Sequence, residues 1–226
     1  EFTMMEFYKA YADYNDVMDI TEQMVAYIAE KAIGTTKFRF GEYEIDVTPP
    51  WRRMTMREAI KEHLDFDYMG KVLTNGKPDR NALIVNTAML KARNIVPGTE
   101  RQEAESLVNT YLELLRAYKE QKRKGGLTRE RANEIRDFRL GPPENDKKDE
   151  KETIAEWLLK ATISDEPWGR LVVEHLFGAL VEPKLIQPTF IKDYPRDVSP
   201  FAKGVDYDDL HVERFEFFIA DRKSVV

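Results

Sequence analysis

Two carboxylates set among aromatic residues are the positions in this sequence whose types and spacing could do chemistry. Glu6 lies in the run Glu1-Phe2-Thr3-Met4-Met5-Glu6-Phe7-Tyr8-Lys9-Ala10-Tyr11-Ala12-Asp13-Tyr14, rich in aromatic and β-favouring residues and free of Gly and Pro. Read as a strand, this run puts Phe2, Met4, Glu6, Tyr8, Ala10 and Ala12 on one face and Thr3, Met5, Phe7, Lys9 and Tyr11 on the other. The first face is apolar and aromatic except for Glu6. A carboxylate there is costly unless it meets a cation or several donors. It therefore either pairs with an Arg of the fold or, with its aromatic neighbours, forms a floor for an ammonium-bearing ligand. Glu216 repeats the arrangement: a strand over 212–220 alternates Glu213, Phe215, Phe217 and Ile219 against Arg214, Glu216, Phe218 and Ala220. A structural pair with Arg214 or Arg222 is the alternative role for Glu216.

Other familiar chemistries are missing. His63, His175 and His211 are scattered, with no pair at metal-ligand spacing and no Ser/His/Asp arrangement that sequence can support. No Gly-rich phosphate loop occurs, and the absence of cysteine excludes disulfides, thiolate zinc sites and a cysteine nucleophile. The net charge of −6 argues against a strong nucleic-acid binder acting through this chain alone. No apolar run approaches the length of a bilayer span, so no membrane partner is expected, and the lack of cysteine fits a cytoplasmic protein. At 226 residues, 42% hydrophobic and 34% charged, the chain is long enough for one large domain or two small ones.

The elements that must position these carboxylates follow from local patterns. Asn15 or Asp16 can cap a helix reaching about Ala32, with Val17, Ile20, Met24 and Ile28 as its apolar stripe and Gly34 as its stop. Short alternating runs over 37–40 and 44–47 around Gly41-Glu42 predict a hairpin. Thr48-Pro49-Pro50-Trp51-Arg52-Arg53 breaks regular structure, and Thr55-Met56-Arg57-Glu58 is a capping box opening a helix over about 55–64. From 69 to 166 charged clusters dominate, at 100–105, 119–124, 129–136 and 145–152, around a helical stripe through Ala104, Leu107, Val108, Tyr111, Leu114, Leu115 and Tyr118. This segment reads as a helical insertion with solvated charged faces, or as a basic arm contacting nucleic acid (tRNA, on the resemblance given next) through Lys119, Lys122, Arg123 and Lys124. A helix follows over 168–180. The strand over 185–191 is interrupted by Pro188, which predicts an edge position or a bulge.

The opening run closely resembles the second half of motif 2 in class II lysyl-tRNA synthetases. Its Glu-Phe-Thr start is shared with the aspartyl and asparaginyl enzymes, whereas Met5-Glu6-Phe7-Tyr8 and Ala10-Tyr11-Ala12-Asp13-Tyr14 point to lysine. A second block agrees: Glu182-Pro183-Lys184-Leu185-Ile186-Gln187-Pro188-Thr189-Phe190-Ile191, then Asp193-Tyr194-Pro195, Ser199-Pro200 and Glu213-Arg214-Phe215-Glu216. Pro49-Pro50-Trp51-Arg52-Arg53 and the capped helix after it continue the likeness to about residue 64.

The resemblance implies an α+β fold: a class II aminoacyl-tRNA synthetase-like antiparallel sheet flanked by helices. Catalytic core occupies 1–68 and 167–226, with the charged insertion over 69–166 between them. It implies lysine–tRNA ligase activity: ATP-dependent formation of lysyl-adenylate, then transfer to tRNA(Lys), with ATP, L-lysine and tRNA(Lys) as partners, a homodimer in the complete enzyme, and Mg2+ as cofactor. It also implies that Phe2 stacks on adenine, that Glu6 and Tyr8 hold lysine, and that Glu216 belongs to the ATP–magnesium site. No residue of this chain is given an acid–base or nucleophilic role, because such a transfer depends on positioning and on cations that neutralise the phosphate.

The chain also departs from the family. The motif 2 arginine that clamps phosphate, motif 1, the anticodon-binding barrel and motif 3 are not in the sequence. Asp221-Arg222 runs into Lys223-Ser224-Val225-Val226 where the family carries a second acidic metal ligand and the rest of the lysine pocket. The expectation is a fragment that does not activate lysine alone. Two other readings stand beside it: a relative that lysylates elongation factor P, and a non-enzymatic interaction module.

Overall fold

The computed structural model describes residues 6–71, 73–74, 77–95, 106, 108–109, 161, 166–220 and 222–223. They fall into two units, Glu1–Phe66 with Phe177–Val226, and Asp67–Leu176.

In the first unit, residues 6–13 are irregular and largely exposed where aromatic alternation predicts a strand. Alternation alone does not hold a strand; a ladder partner does. The ladders of the described sheet join other segments, and the chain turns at Ala10 and Tyr11, with Tyr11 in the left-handed region at φ 55. Helix α1, Tyr14–Ile33, follows. Its cap is Asp13, ahead of the expected Asn15 or Asp16: the Asp13 carboxylate accepts the N–H groups of Asn15 (2.8 Å) and Asp16 (3.2 Å), and Asp16 accepts the Asp13 N–H (3.0 Å). Gly34 ends the helix at φ 77, as expected. The buried stripe is rotated from the predicted one. Met18, Thr21, Glu22, Ala26 and Ala29 are buried, whereas Ile28 is exposed. The rotation follows from Glu22, whose carboxylate finds the Trp51 N–H (2.9 Å) and the Arg53 guanidinium (3.2 Å) inside.

Strands β1, Lys37–Phe40, and β2, Tyr43–Asp46, form the expected antiparallel hairpin, with Gly41 at φ 60 in its turn. Gln187 extends the edge of β2, donating to the Glu44 carbonyl (2.8 Å) and accepting the Asp46 N–H (3.1 Å).

Strand β3, Arg52–Thr55, starts one residue after the two prolines, inside the stretch expected to be irregular. It pairs in parallel with β6, Thr189–Pro195, in the register Arg52↔Thr189 to Thr55↔Lys192. On its other side β6 pairs antiparallel with β8, Asp208–Ile219, which β7 (Gly204–Val205) and β9 (Arg222–Lys223) flank. The sheet is thus mixed, with one parallel pair. The strand expected at an edge or with a bulge is central and carries a register shift between Lys192 and Tyr194; its ladder begins at Thr189 and leaves Pro188 outside, where its missing N–H costs nothing. Helix α2, Met56–Leu64, opens on the predicted box: Glu58 N–H to Thr55 Oγ1 at 3.1 Å, Thr55 N–H to Glu58 Oε2 at 2.8 Å. Phe190 of β6, fully buried, centres the core; its ring lies 5.3 Å from Trp51, 5.5 Å from Phe215 and 6.2 Å from Phe217, with Met18, Ile45, Val47 and Ala220 in the same cluster.

The second unit contains short helix α3 (Tyr68–Lys71), strands β4 (Leu73–Thr74) and β5 (Lys77–Pro78), and helix α4, Arg80–Ile95, capped by the Asp79 carboxylate. Arg80 donates to the carbonyls of Glu166 (2.7 Å) and Ala161 (2.6 Å), and Tyr68 lies 6.3 Å from Trp168. The predicted helix over 168–180 opens as α5, Trp168–Arg170, and continues with wider π-type turns over Leu171–Gly178. The predicted stripe from Ala104 to Tyr118, apart from Val108, and all four charged clusters lie outside the described residues.

Candidate functional site

Strand alternation on β8 separates two jobs. Phe215, Phe217 and Ile219 pack on the core cluster beneath α1 and the hairpin. Glu216 and Phe218 belong to the opposite face and are buried there, Phe218 against Phe177 at 5.4 Å between rings. Glu216 is 2% exposed, so its carboxylate must be met inside the protein. Oε2 accepts from the Tyr194 hydroxyl at 2.9 Å, and Oε1 accepts from Nη2 of Arg214, two residues back on the same face. The other arm of Arg214 donates to Ser199 Oγ, and its guanidinium carbon sits 4.8 Å from the centre of the Tyr194 ring. Burial, and then Glu216, push the Tyr194 phenol well above the ordinary tyrosine range, which keeps it a donor.

Tyr194 follows an irregularity in β6, where the register with β8 shifts between Lys192 and Tyr194 and Asp193 takes the left-handed region at φ 59. Asp193 is itself 3% exposed. It accepts from the hydroxyls of Tyr14 (2.9 Å) and Tyr207, while Lys192 Nζ donates to the Tyr14 hydroxyl (3.2 Å). Burial first and Asp193 second raise both phenols above their usual range. The first residue of α1 is therefore tied to the middle of the sheet. Beside this cluster a cleft of about 490 Å³ is lined by Arg57, Lys61, Asp193, Tyr207, Asp208 and His211; its charges are of both signs.

The sequence-derived candidates are distributed unevenly. Glu216 is buried on β8. Glu6 and Tyr8 lie in the exposed irregular stretch, with Tyr8 91% exposed, and Phe2 lies outside the described residues. The histidines serve locally: His211 Nδ1 is 2.5 Å from Asp208, His175 Nε2 is 3.4 Å from Glu166, and His63 Nε2 is buried without a hydrogen-bond partner. Sequence reasoning offered Arg214 for Glu216, because period-2 alternation puts them on one face. It missed Tyr194 and Ser199, which reach Glu216 and Arg214 through cross-strand register and a loop.

The residues present do not fit a magnesium ion at Glu216 in this arrangement. Magnesium takes an octahedral oxygen shell and keeps several waters, whereas both oxygens of Glu216 are engaged and the side chain is 3% exposed. Among the described residues, no group of three or more His, Cys, Asp or Glu could hold a metal. Among the same residues, no helix is long and apolar enough to cross a membrane.

The sequence that builds this mixed sheet and buries this carboxylate matches a known family. The sequence model of the tRNA synthetases class II (D, K and N) matches residues 1–223, and the chain belongs to this family, with its α+β fold. Within the family its similarity runs to lysine–tRNA ligases. That of Shewanella amazonensis is 34% identical over 223 residues, covering 99% of this chain and 31% of that protein. That of Clostridium tetani is also 34% identical over 223 residues, covering 99% and 30%. The Bacillus cereus protein is 32% identical over 223 residues, again covering 99% and 30%. The chain thus spans just under a third of the length of these relatives.

Proposed function

We propose that this chain is a catalytic-domain portion of a lysine–tRNA ligase, which activates L-lysine with ATP as lysyl-adenylate and transfers it to tRNA(Lys). The observation that carries the reading is the continuous likeness to proteins named lysine–tRNA ligase over 223 residues, at 34% identity. In this reading Phe2 stacks on adenine, Glu6 and Tyr8 bind lysine, and Glu216 faces the ATP phosphates with Mg2+ as the family's cofactor. The complete enzyme is a cytoplasmic homodimer, and the segment 69–166 is an insertion between the two parts of the core, 1–68 and 167–226.

The chain's own residues supply positioning. Tyr14, through Asp193, anchors the start of α1 and hence the segment carrying Glu6 and Tyr8. Exposure of that segment leaves the Glu6 carboxylate and the Tyr8 hydroxyl open to an ammonium ligand. Magnesium, when bound, would neutralise phosphate charge during in-line attack by the lysine carboxylate; the arrangement around Glu216 does not present that ion's shell, and no step is derived through it. We propose further that the 226-residue chain alone does not form lysyl-adenylate.

The test is lysine-dependent ATP–pyrophosphate exchange, run on the 226-residue chain and on the protein isolated at the mass its source cell produces. Lysine-specific exchange and tRNA(Lys) charging by the isolated protein are expected, and background exchange by the chain. Exchange with another amino acid, or none by the isolated protein, would overturn the ligase reading. Strong exchange by the chain would overturn only the second proposal.

A further inference from the structure

The disagreement between Glu216 and a metal site has a definite cause in the structure. Arg214 sits on one oxygen of Glu216 and is the half of the pair that water reaches. Its guanidinium is fixed from three directions: by Glu216 Oε1, by Ser199 Oγ and by the face of Tyr194 at 4.8 Å. Tyr194 completes the enclosure, donating to the remaining Glu216 oxygen at 2.9 Å. Carboxylate and guanidinium are also asymmetric in their access to water, at 3% and 36% side-chain exposure. The cation is the half of the pair that can leave.

We propose that Arg214 is the resident counter-ion of Glu216 and closes that carboxylate to divalent metal, so that a metal ion reaches Glu216 only by displacing the guanidinium. A planar guanidinium is weakly hydrated and matches the carboxylate in shape, whereas Mg2+ surrenders its hydration shell reluctantly. At a carboxylate this buried, the weakly hydrated cation holds the site. Ser199 matters because it anchors the arm of Arg214 that does not touch Glu216, and so opposes the swing outward. The proposal concerns the same carboxylate as the ligase reading, but its measurement uses no ATP, lysine or tRNA, so either can fail without the other.

The probe is Mn2+, followed by electron paramagnetic resonance during titration of the 226-residue chain, with circular dichroism checking the fold of each variant. In the unmodified chain, Glu216→Gln is expected to leave Mn2+ uptake unchanged, because that carboxylate is not available. Arg214→Met keeps the length and apolar stem of the side chain and removes the charge; it is expected to gain a weak Mn2+ site, one carboxylate oxygen with water completing the shell, that the unmodified chain lacks. Adding Glu216→Gln to Arg214→Met is expected to abolish the gain. Ser199→Ala loosens the guanidinium without deleting it and is expected to show a smaller gain with the same dependence on Glu216. Loss of Mn2+ binding on Glu216→Gln alone would overturn the proposal. So would a folded Arg214→Met chain that gains no site, or gains one that survives Glu216→Gln. If Arg214→Met does not fold, the Ser199→Ala and Glu216→Gln results decide the matter by the same criteria.

Discussion

Replacing Glu22 by alanine is expected to destabilise the first unit by about 3 kcal/mol. This glutamate is 5% exposed on the inner face of α1 and serves two donors, the Trp51 N–H at 2.9 Å and Arg53 Nη2 at 3.2 Å. Without it a buried backbone N–H loses its acceptor, a loss of about 1–3 kcal/mol. Arg53 loses its inner partner too, but keeps Asp19, so this part falls short of the roughly 3–5 kcal/mol seen when a wholly buried pair is broken. Glu22→Gln retains an oxygen for Trp51 but turns the oxygen that accepts from Arg53 into an NH2 donor, so it should cost less than alanine, about 1–2 kcal/mol. Urea unfolding followed by circular dichroism would show the midpoint falling at constant slope, in the order wild type, Gln, Ala. Arg53→Met in both backgrounds closes a double-mutant cycle, with an expected coupling of about 1 kcal/mol or more. A Glu22→Ala chain within about 0.5 kcal/mol of wild type would refute the reasoning, as would a coupling near zero.

Three further outcomes follow from the same structure. Phe190→Ala empties the centre of the core and should cost about 3–5 kcal/mol by urea unfolding, against less than about 1.5 kcal/mol for the better-filling Phe190→Leu. Thr55→Ala removes the oxygen that accepts the Glu58 N–H and should lower stability by about 1 kcal/mol, with Thr55→Ser recovering most of it. His175 has its pKa held below the ordinary 6.5 chiefly by burial, with Lys91 adding to the effect and Glu166 opposing it. The unfolded chain therefore binds a proton more readily than the native one, so the contribution is intact above about pH 6.5 and is lost as pH falls toward the folded pKa. His175→Gln should flatten the acid side of the stability profile below pH 6.5 without altering it at pH 8; an unchanged slope would remove His175 as the cause.

Local chemistry was the legible part of the fold. The Thr55–Glu58 box, the turn at Gly41 and the stop at Gly34 each depend on residues within a few positions of one another, and all three stand where the sequence puts them. The start of α1 moved because several Asx residues compete there, and only Asp13 has the extended backbone of a cap, at φ −111 and ψ −176. Its stripe moved because hydrophobicity cannot reveal that Glu22 has partners inside. Strand β3 was illegible since its parallel partner lies beyond the whole of the second unit in the sequence, and of the two outcomes Pro188 suggested for β6, edge or bulge, the strand is central with its irregularity at Asp193, because Pro188 adjoins the ladder without entering it. At the candidate site, alternation exposed the neighbourhood of Arg214 and Glu216. The roles of Phe2, Glu6, Tyr8 and Glu216 came from resemblance to the synthetases, since no spacing rule names adenine or lysine.

The parallel pairing of β3 with β6 sets an order of assembly on the ribosome. Helix α1, the hairpin and α2 complete their own hydrogen bonds as they emerge, but the N–H and C=O groups of Arg52–Thr55 meet Thr189–Lys192 only after all of Asp67–Leu176 has been synthesised. At about 5–20 residues per second the nascent chain holds that edge open for about 7–27 seconds, with Trp51 lacking its packing against Phe190 and Phe217 throughout. An unpaired strand beside an uncovered aromatic is a template for association with other chains. The interval between β3 and β6, rather than the stability of the finished sheet, is where this protein is most open to misassembly.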